Sequence, residues 1–245
     1  MYESLKFVVS DTICAGVSPF SSPLFGRFCP RFLDGFFVTV ELLILASLIG
    51  FVLAVFLVLA RSSNRALIFS SAALFVYCFR GTPLLVQLWI IYFGIGSLGP
   101  DNLGVLWVFF KSPWLVGLFV LILNTSAYVS EILRGGLVNV DKGQMEAAMS
   151  IGMSWLQAMR RILLPQALRL AWPAYGNELI LLMKGSALLS TITVLDLMGQ
   201  TRTIFARNFD LSTYVYAAIL YLILAGIISG FIFVVERRFA RSSSH

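Results

Sequence analysis

From Phe36 to Ala60 the chain is almost wholly apolar and carries one charged side chain, Glu41. As a helix, such a run of roughly 25 residues rises about 37 Å, enough to cross a hydrocarbon core of about 30 Å. The rest of the chain agrees with this segment. Of the 245 residues, 59% are hydrophobic and only 12% charged, whereas a soluble domain carries about a quarter charged residues. So much apolar surface cannot be hidden inside a water-soluble globule of this size. The fold class expected is an all-α membrane protein with about five transmembrane helices.

Residues 1–32 are punctuated by Ser18-Pro19, Ser21-Ser22-Pro23 and Pro30 and read as an N-terminal external or interfacial segment without a full span. They lack the basic start of a signal peptide. The membrane domain is expected over 33–238, with a cytoplasmic tail at 239–245. Leu67–Ser97 is long for one span and contains Arg80-Gly81-Thr82-Pro83, where a kink or break is expected. It reads as one broken span, with two short segments as the competing count. Gly99–Pro113 reads as an external loop ending at the interface anchor Trp114. Leu115–Leu133, Ala174–Ile192 and Tyr214–Val235 are the remaining spans, and 196–210 reads as a short external helix. Arg61, Arg65, Arg160, Arg161, Arg237 and Arg238 cluster in short loops near span ends and mark the inside. The orientation expected is N-terminus outside and C-terminus cytoplasmic. The net charge of +6 reads as topology, not as binding to nucleic acid.

The most polar long stretch between apolar runs is 141–165. Asp141 with Gln144, and Ser154 with Gln157, have capping-box spacing at two helix starts. Gly152 falls where the first helix should stop and Pro165 where the second should. The second helix carries an apolar face of Trp155, Leu156, Met159, Ile162 and Leu163 beside basic Arg160 and Arg161. Each helix is about ten residues, roughly 15 Å, too short to span.

The order Glu146-Ala147-Ala148, then Gly152, then Leu164-Pro165, resembles the EAA loop of ABC importer membrane subunits. The stretch Phe79–Gln87 around Arg80-Gly81-Thr82-Pro83 and the stretch Glu131-Ile132-Leu133-Arg134-Gly135-Gly136 are similar to the polar amino-acid branch of these permeases, whose members carry histidine, lysine, arginine, glutamine or opines. The resemblance implies a type I importer permease fold and a coupling helix, formed by Glu146, Ala147, Ala148, Gly152, Leu164 and Pro165, that docks in a cleft of a cytoplasmic ATPase. Read on their own spacing, Glu131 and Arg134 also suit a local ion pair three residues apart.

No phosphate-cradling Gly-rich loop ends in Gly-Lys-Ser/Thr, so no cofactor is expected in this chain, and ATP and Mg are expected on a partner ATPase. The only histidine is His245, which leaves no familiar metal cluster. Cys78 reads as a small core residue. Cys14 and Cys29 read as two unpaired thiols, with a disulfide as the alternative if their segment is external. Charges near the membrane interior usually face a cavity, a partner or a substrate, because burying one in a bilayer costs on the order of 3 kcal/mol. Arg80, Asn177, Glu178, Lys184 and Ser186 are the candidates for the substrate path. Arg80 or Lys184 would meet a carboxylate and Glu178 an ammonium; mutual pairing that merely holds the bundle is the alternative reading. Asn177–Leu188 also resembles the path-lining segment of amino-acid permeases.

These residues lead to the expectation of a permease subunit of an inner-membrane ABC importer. It would move polar, including basic, amino acids or opine-like derivatives by alternating access. Its expected partners are a second permease subunit (homo- or heterodimer), two ABC ATPases, a periplasmic solute-binding protein touching 99–113 and 196–210, and the lipid bilayer. An ATP-independent channel or secondary transporter is the alternative.

Overall fold

The computed structural model describes residues 12–14 and 23–241, and the described residues contain helices and no strand. Among the described residues from Pro23 onward, eight helical segments follow in order: α1 Pro23–Arg61, α2 Ala66–Gly81, α3 Leu84–Phe110, α4 Pro113–Val138, α5 Lys142–Ser150, α6 Trp155–Ile192, α7 Leu197–Asn208 and α8 Ser212–Arg241. Among the described residues four of them (α1, α3, α4 and α8) are long and apolar enough to cross a membrane, and α6 with α7, bent by 48° at their junction, adds a fifth if the bent pair is counted as one span.

Several boundaries differ from the sequence expectation. The first helix begins at Pro23, so the last part of the 1–32 segment belongs to it, with Pro30 accommodated inside. α8 runs to Arg241, across the expected start of the tail. The Leu67–Ser97 run does break at Thr82-Pro83. Its first part, α2, has 16 residues, a rise of about 24 Å. The second part does not end in a loop: wide turns at Ile90–Ile95 and tight turns after them carry the helix through Gly99 to Phe110. The break is well satisfied. Pro83 has no N–H to offer the carbonyls at the end of α2, and side chains take its place. Thr82 donates to the Cys78 carbonyl at 2.7 Å, and Asn124 and Tyr128 of α4 donate to those of Phe79 and Arg80, each at 3.5 Å.

Pro165 does not stop a helix either. α6 is continuous from Trp155 to Ile192 because the turn at Met159–Leu163 widens, the Leu164 N–H reaching the Met159 carbonyl five residues back. A π turn absorbs the hydrogen bond that Pro165 cannot make. The Ala174–Ile192 span therefore starts about 20 residues earlier than composition suggests, at the Ser154 cap.

The chain divides into two compact units. The first takes the described residues up to Ala46, with Pro83–Leu121 and Leu182–Gly226. Its core sets Phe32, Leu197 and Ile204 among Phe25, Tyr216 and Tyr221. Thr39 accepts from the Leu197 N–H at 3.1 Å, while Asp196 caps α7 through the Gly199 N–H at 2.9 Å. Cys14 and Cys29 form a disulfide over Leu33 and Phe37, which corrects the reading of two free thiols. The second unit takes Ser47–Thr82, Ile122–Leu181 and Ile227 onward. Here Cys78 is exposed and not a core residue.

In the second unit α4 and α6 approach at Gly136, where a Cβ would lie 2.5 Å from the Ala167 carbonyl oxygen; at Gly135 a Cβ would meet nothing within 4 Å. The two neighbours should therefore respond with opposite sign. Gly136→Ala should destabilise by about 1–3 kcal/mol through overpacking against backbone, whereas Gly135→Ala should be neutral or stabilising by up to about 1 kcal/mol. Thermal unfolding of both variants in detergent checks this, and equal melting temperatures would refute the close approach.

Candidate functional site

The 141–165 hairpin is built from its caps. Asp141 accepts from the Gly143 N–H at 2.9 Å and starts α5; this is a simple N-cap on Gly143, not the reciprocal Asp141–Gln144 box expected. Gly152 ends α5 with φ +84°, a conformation glycine adopts without steric cost. Ser154 and Gln157 do form the reciprocal box, with the Ser154 N–H on Gln157 Oε1 at 2.9 Å and the Gln157 N–H on Ser154 Oγ at 3.4 Å. The hairpin then has two faces. Ala148 and Ala158 are buried with Val140, Leu163 and Ala167, and Met145, Met153, Met159 and Ile162 pack around them. The other face is open: Glu146, Ala147, Met149, Ile151, Gly152, Trp155 and Leu156 are all exposed, Ile151 by 77%. The expected single apolar face thus splits, with Met159, Ile162 and Leu163 packed inward and Trp155 and Leu156 outward. Leu164 and Pro165 lie exposed inside the continuous α6. Large apolar side chains exposed on a short capped hairpin, here Met149, Ile151, Trp155 and Leu156, are a feature of docking surfaces.

Elsewhere in the same unit a cavity of about 740 Å³ is lined by Arg61, Tyr77, Cys78, Arg80, Thr82, Tyr128 and Glu131. Glu131 is its electrostatic centre. One carboxylate oxygen pairs with Arg61 at the end of α1, and the other accepts from Arg134 at 2.8 Å, with Arg80 at 3.8 Å. Arg80 also lies over the Tyr128 ring, 5.5 Å from its centroid, an arrangement that favours the cation. Glu131 and Arg134 are thus the ion pair that their spacing suggested, but two further arginines share the acid. Sequence reading took Arg61 only as a marker of the inside; an arginine at a helix end facing a Glu-x-x-Arg step was the available signal.

The remaining path candidates fall in different settings. Glu178 is only 5% exposed on α6. Among the described residues it has no hydrogen-bond or ion-pair partner, and Arg80 lies within its electrostatic range. Asn177, one residue earlier, is exposed. Lys184 and Ser186 belong to the first unit. Lys184 is exposed, while buried Ser186 donates its hydroxyl to the Met183 carbonyl at 2.8 Å, where α6 tightens into the 3-10 turns of Ala187–Ile192.

A bundle of apolar helices interrupted by a short, capped, outward-facing hairpin defines a membrane-embedded subunit that another protein can grip. Residues 46–241 match the family of binding-protein-dependent transport system inner membrane components, and the chain belongs to that family. It is 39% identical over 209 residues to the nopaline transport system permease protein NocM of Agrobacterium fabrum (strain C58 / ATCC 33970), covering 84% of this chain and 87% of that protein. It is 40% identical over 220 residues to the histidine/lysine/arginine/ornithine transport system permease protein HisM of Escherichia coli (strain K12), covering 86% and 91%. The crystal structure of an amino acid ABC transporter superposes with TM-score 0.78 at 35% identity, over 86% of this chain and 95% of that one. The chain is a permease subunit of an ABC transporter with the importer permease fold, which sets aside the ATP-independent channel.

Breaking the Glu131 cluster should be costly, since removing one partner leaves opposite charges uncompensated. Glu131 is 16% exposed and its partners 19–47%, so solvent screens part of the loss. Glu131→Gln should destabilise by about 2 kcal/mol and Glu146→Gln, on the open hairpin face, by less than about 0.5 kcal/mol. Chemical denaturation of the two variants side by side makes the comparison.

Proposed function

We propose that the chain is one of two facing permease subunits that carry amino acids or opine-like derivatives inward, powered by ATP and Mg on two separate ATPase subunits. The observation that carries the coupling part is the exposed face of the 141–165 hairpin. Apolar Met149, Ile151, Trp155 and Leu156 beside Glu146 need a partner to leave water, and the caps at Asp141 and Ser154 hold that face rigid against the α4–α6 core. Glu146, Ala147, Ala148, Gly152, Leu164 and Pro165 are assigned to coupling on this basis. A rigid hairpin transmits a push from ATPase closure, and alternating access follows at the paired subunits.

The proposed sidedness is N-terminus outside and C-terminus cytoplasmic. Charges at the helix ends support it, and so does the Cys14–Cys29 disulfide, because such bonds persist in an oxidising compartment such as the periplasm. The hairpin then faces the cytoplasm, and α7 faces the solute-binding protein. The relatives carry nopaline and basic amino acids by name. Those solutes share a carboxylate and a cationic nitrogen. Arg80 and Glu178 are one cation and one buried acid within electrostatic range of each other, a complement to such a zwitterion. Asn177, Lys184 and Ser186 are assigned to the same path as polar groups on α6.

Two experiments test this in proteoliposomes holding the complete transporter. Glu146→Lys should lower ATP-driven uptake at least about tenfold and weaken co-purification of the ATPase, with the melting temperature unchanged; intact uptake would end the coupling assignment. Glu178→Gln should reduce uptake of cationic solutes more than of neutral ones. Equal loss for both would mark Glu178 as a packing residue.

A further inference from the structure

We propose that a basic cavity beside α7 is the seat for an acidic side chain of the solute-binding protein; this rests on the external placement and the binding-protein partner proposed above. The cavity measures about 660 Å³ and lies within the first unit. Arg202, Arg207, Ser190, Thr193, Thr203 and Tyr214 are among its walls. Two of the hydroxyls have already spent their protons: Ser190 donates to the Ala187 carbonyl at 2.7 Å and Thr203 to the Gly199 carbonyl at 2.9 Å. Arg202 reaches only the Ser190 oxygen, at 3.4 Å. Among the described residues neither Arg202 nor Arg207 pairs with a carboxylate. The charged donors left to the cavity are therefore two guanidiniums, both exposed, and a protein group that displaces their water must be negative and rich in acceptors. A carboxylate meets both conditions and matches the planar fork of arginine.

The backbone around α7 is shaped for this. Thr193 in the cavity wall and Phe209 at the end of α7 have φ +66° and +52°, the only positive values among described residues other than glycine. Such conformations persist where the surroundings enforce them. Beside the charged seat, Leu195 is 52% and Phe209 78% exposed, and Phe209 packs on Phe205 of the cavity wall, 6.0 Å between ring centroids. Exposed apolar groups next to a polar seat suit a protein surface, which covers both, better than a free solute, which would fill only the seat.

The test uses the complete transporter in nanodiscs, titrated with its cognate solute-binding protein while ATP hydrolysis is followed. For the double variant Arg202→Glu, Arg207→Glu, the half-saturating concentration of binding protein should rise at least about tenfold. Basal hydrolysis and the rate at saturation should stay unchanged, which also reports that the variant is folded. The wild-type half-saturation should weaken with ionic strength more steeply than that of the variant. Reversing acidic surface residues of the binding protein to arginine, one at a time, should restore the double variant at one position. An unchanged half-saturation in the double variant overturns the seat. So does inhibition by free glutamate of the wild type and not of the variant in the absence of binding protein, since the seat would then serve a free solute. A wild-type transporter indifferent to the binding protein overturns the partner assignment and the seat with it.

Discussion

Glu131 is shared by arginines from three helices. Arg61 closes α1, Arg80 lies near the end of α2, and Arg134 is one turn further along α4 itself. In water such a cluster contributes little, because each ion trades solvation for a partner at nearly equal free energy. In an apolar bundle the choice is different. An arginine that leaves Glu131 has few polar groups to turn to, so the ends of α1 and α2 are tied to α4 more firmly than their apolar contacts alone would tie them. Two residues beyond Arg134, Gly136 lets α6 approach to backbone contact at Ala167. The hairpin packs on that contact through Val140, Ala148, Ala158 and Leu163. The ionic cluster and the close glycine contact thus fix the platform from which the hairpin projects.

The helical spans were legible because their signal is collective. No single residue decides that Phe36–Ala60 crosses a membrane; the sum over the run does. The caps at Asp141, Gly152 and Ser154 were legible for the opposite reason, since each is a local rule about one or two backbone groups. What failed was the inference from Pro165 to a helix end. Pro30, Pro165 and Pro173 all lie within continuous helices. A lost hydrogen bond is costly where the freed carbonyl finds neither water nor a neighbouring donor. Here the turn at Met159–Leu163 widens, and packing on both sides holds the axis. At Pro83, by contrast, the chain does break, and Thr82, Asn124 and Tyr128 supply the missing donors. The difference lies in tertiary neighbours, which a sequence does not display.

The same limit applies to the candidate site. Composition marked Arg80 and Glu178 as unusual because charges in apolar helices are few. It did not distinguish them from Glu131, whose carboxylate is consumed by arginines, because that depends on which helix ends meet. Nor did it show that the Ser186 hydroxyl donates to the Met183 carbonyl, which leaves only its oxygen to offer along the proposed path. The cysteine pair failed similarly: spacing allows Cys14 and Cys29 to be close or distant, and only the packing of that segment over Leu33 and Phe37 decides it.

Charge satisfaction then separates the polar residues of this chain by role. Where an arginine and an acid meet closely, as Arg61 and Arg134 do at Glu131, the pair holds helices, whereas Arg80, 3.8 Å from the same carboxylate and 44% exposed, keeps donors to offer a ligand. Where a charge is left over, the fold carries a cost that packing alone does not explain. Among the described residues, buried Glu178 has no hydrogen-bond or ion-pair partner, and exposed Arg202 and Arg207 line a cavity that holds no acid. At Glu178 an outside partner adds free energy because the desolvation of the protein side has already been met during folding. In the reading proposed above, solute recognition is assigned to an acid on α6 and the docking of a delivering protein to a pair of bases on α7. The hairpin at Glu146–Pro165 presents apolar Met149, Ile151, Trp155 and Leu156 together with exposed Glu146, Arg160 and Arg161, and in the proposed reading that surface is the contact with the ATPase.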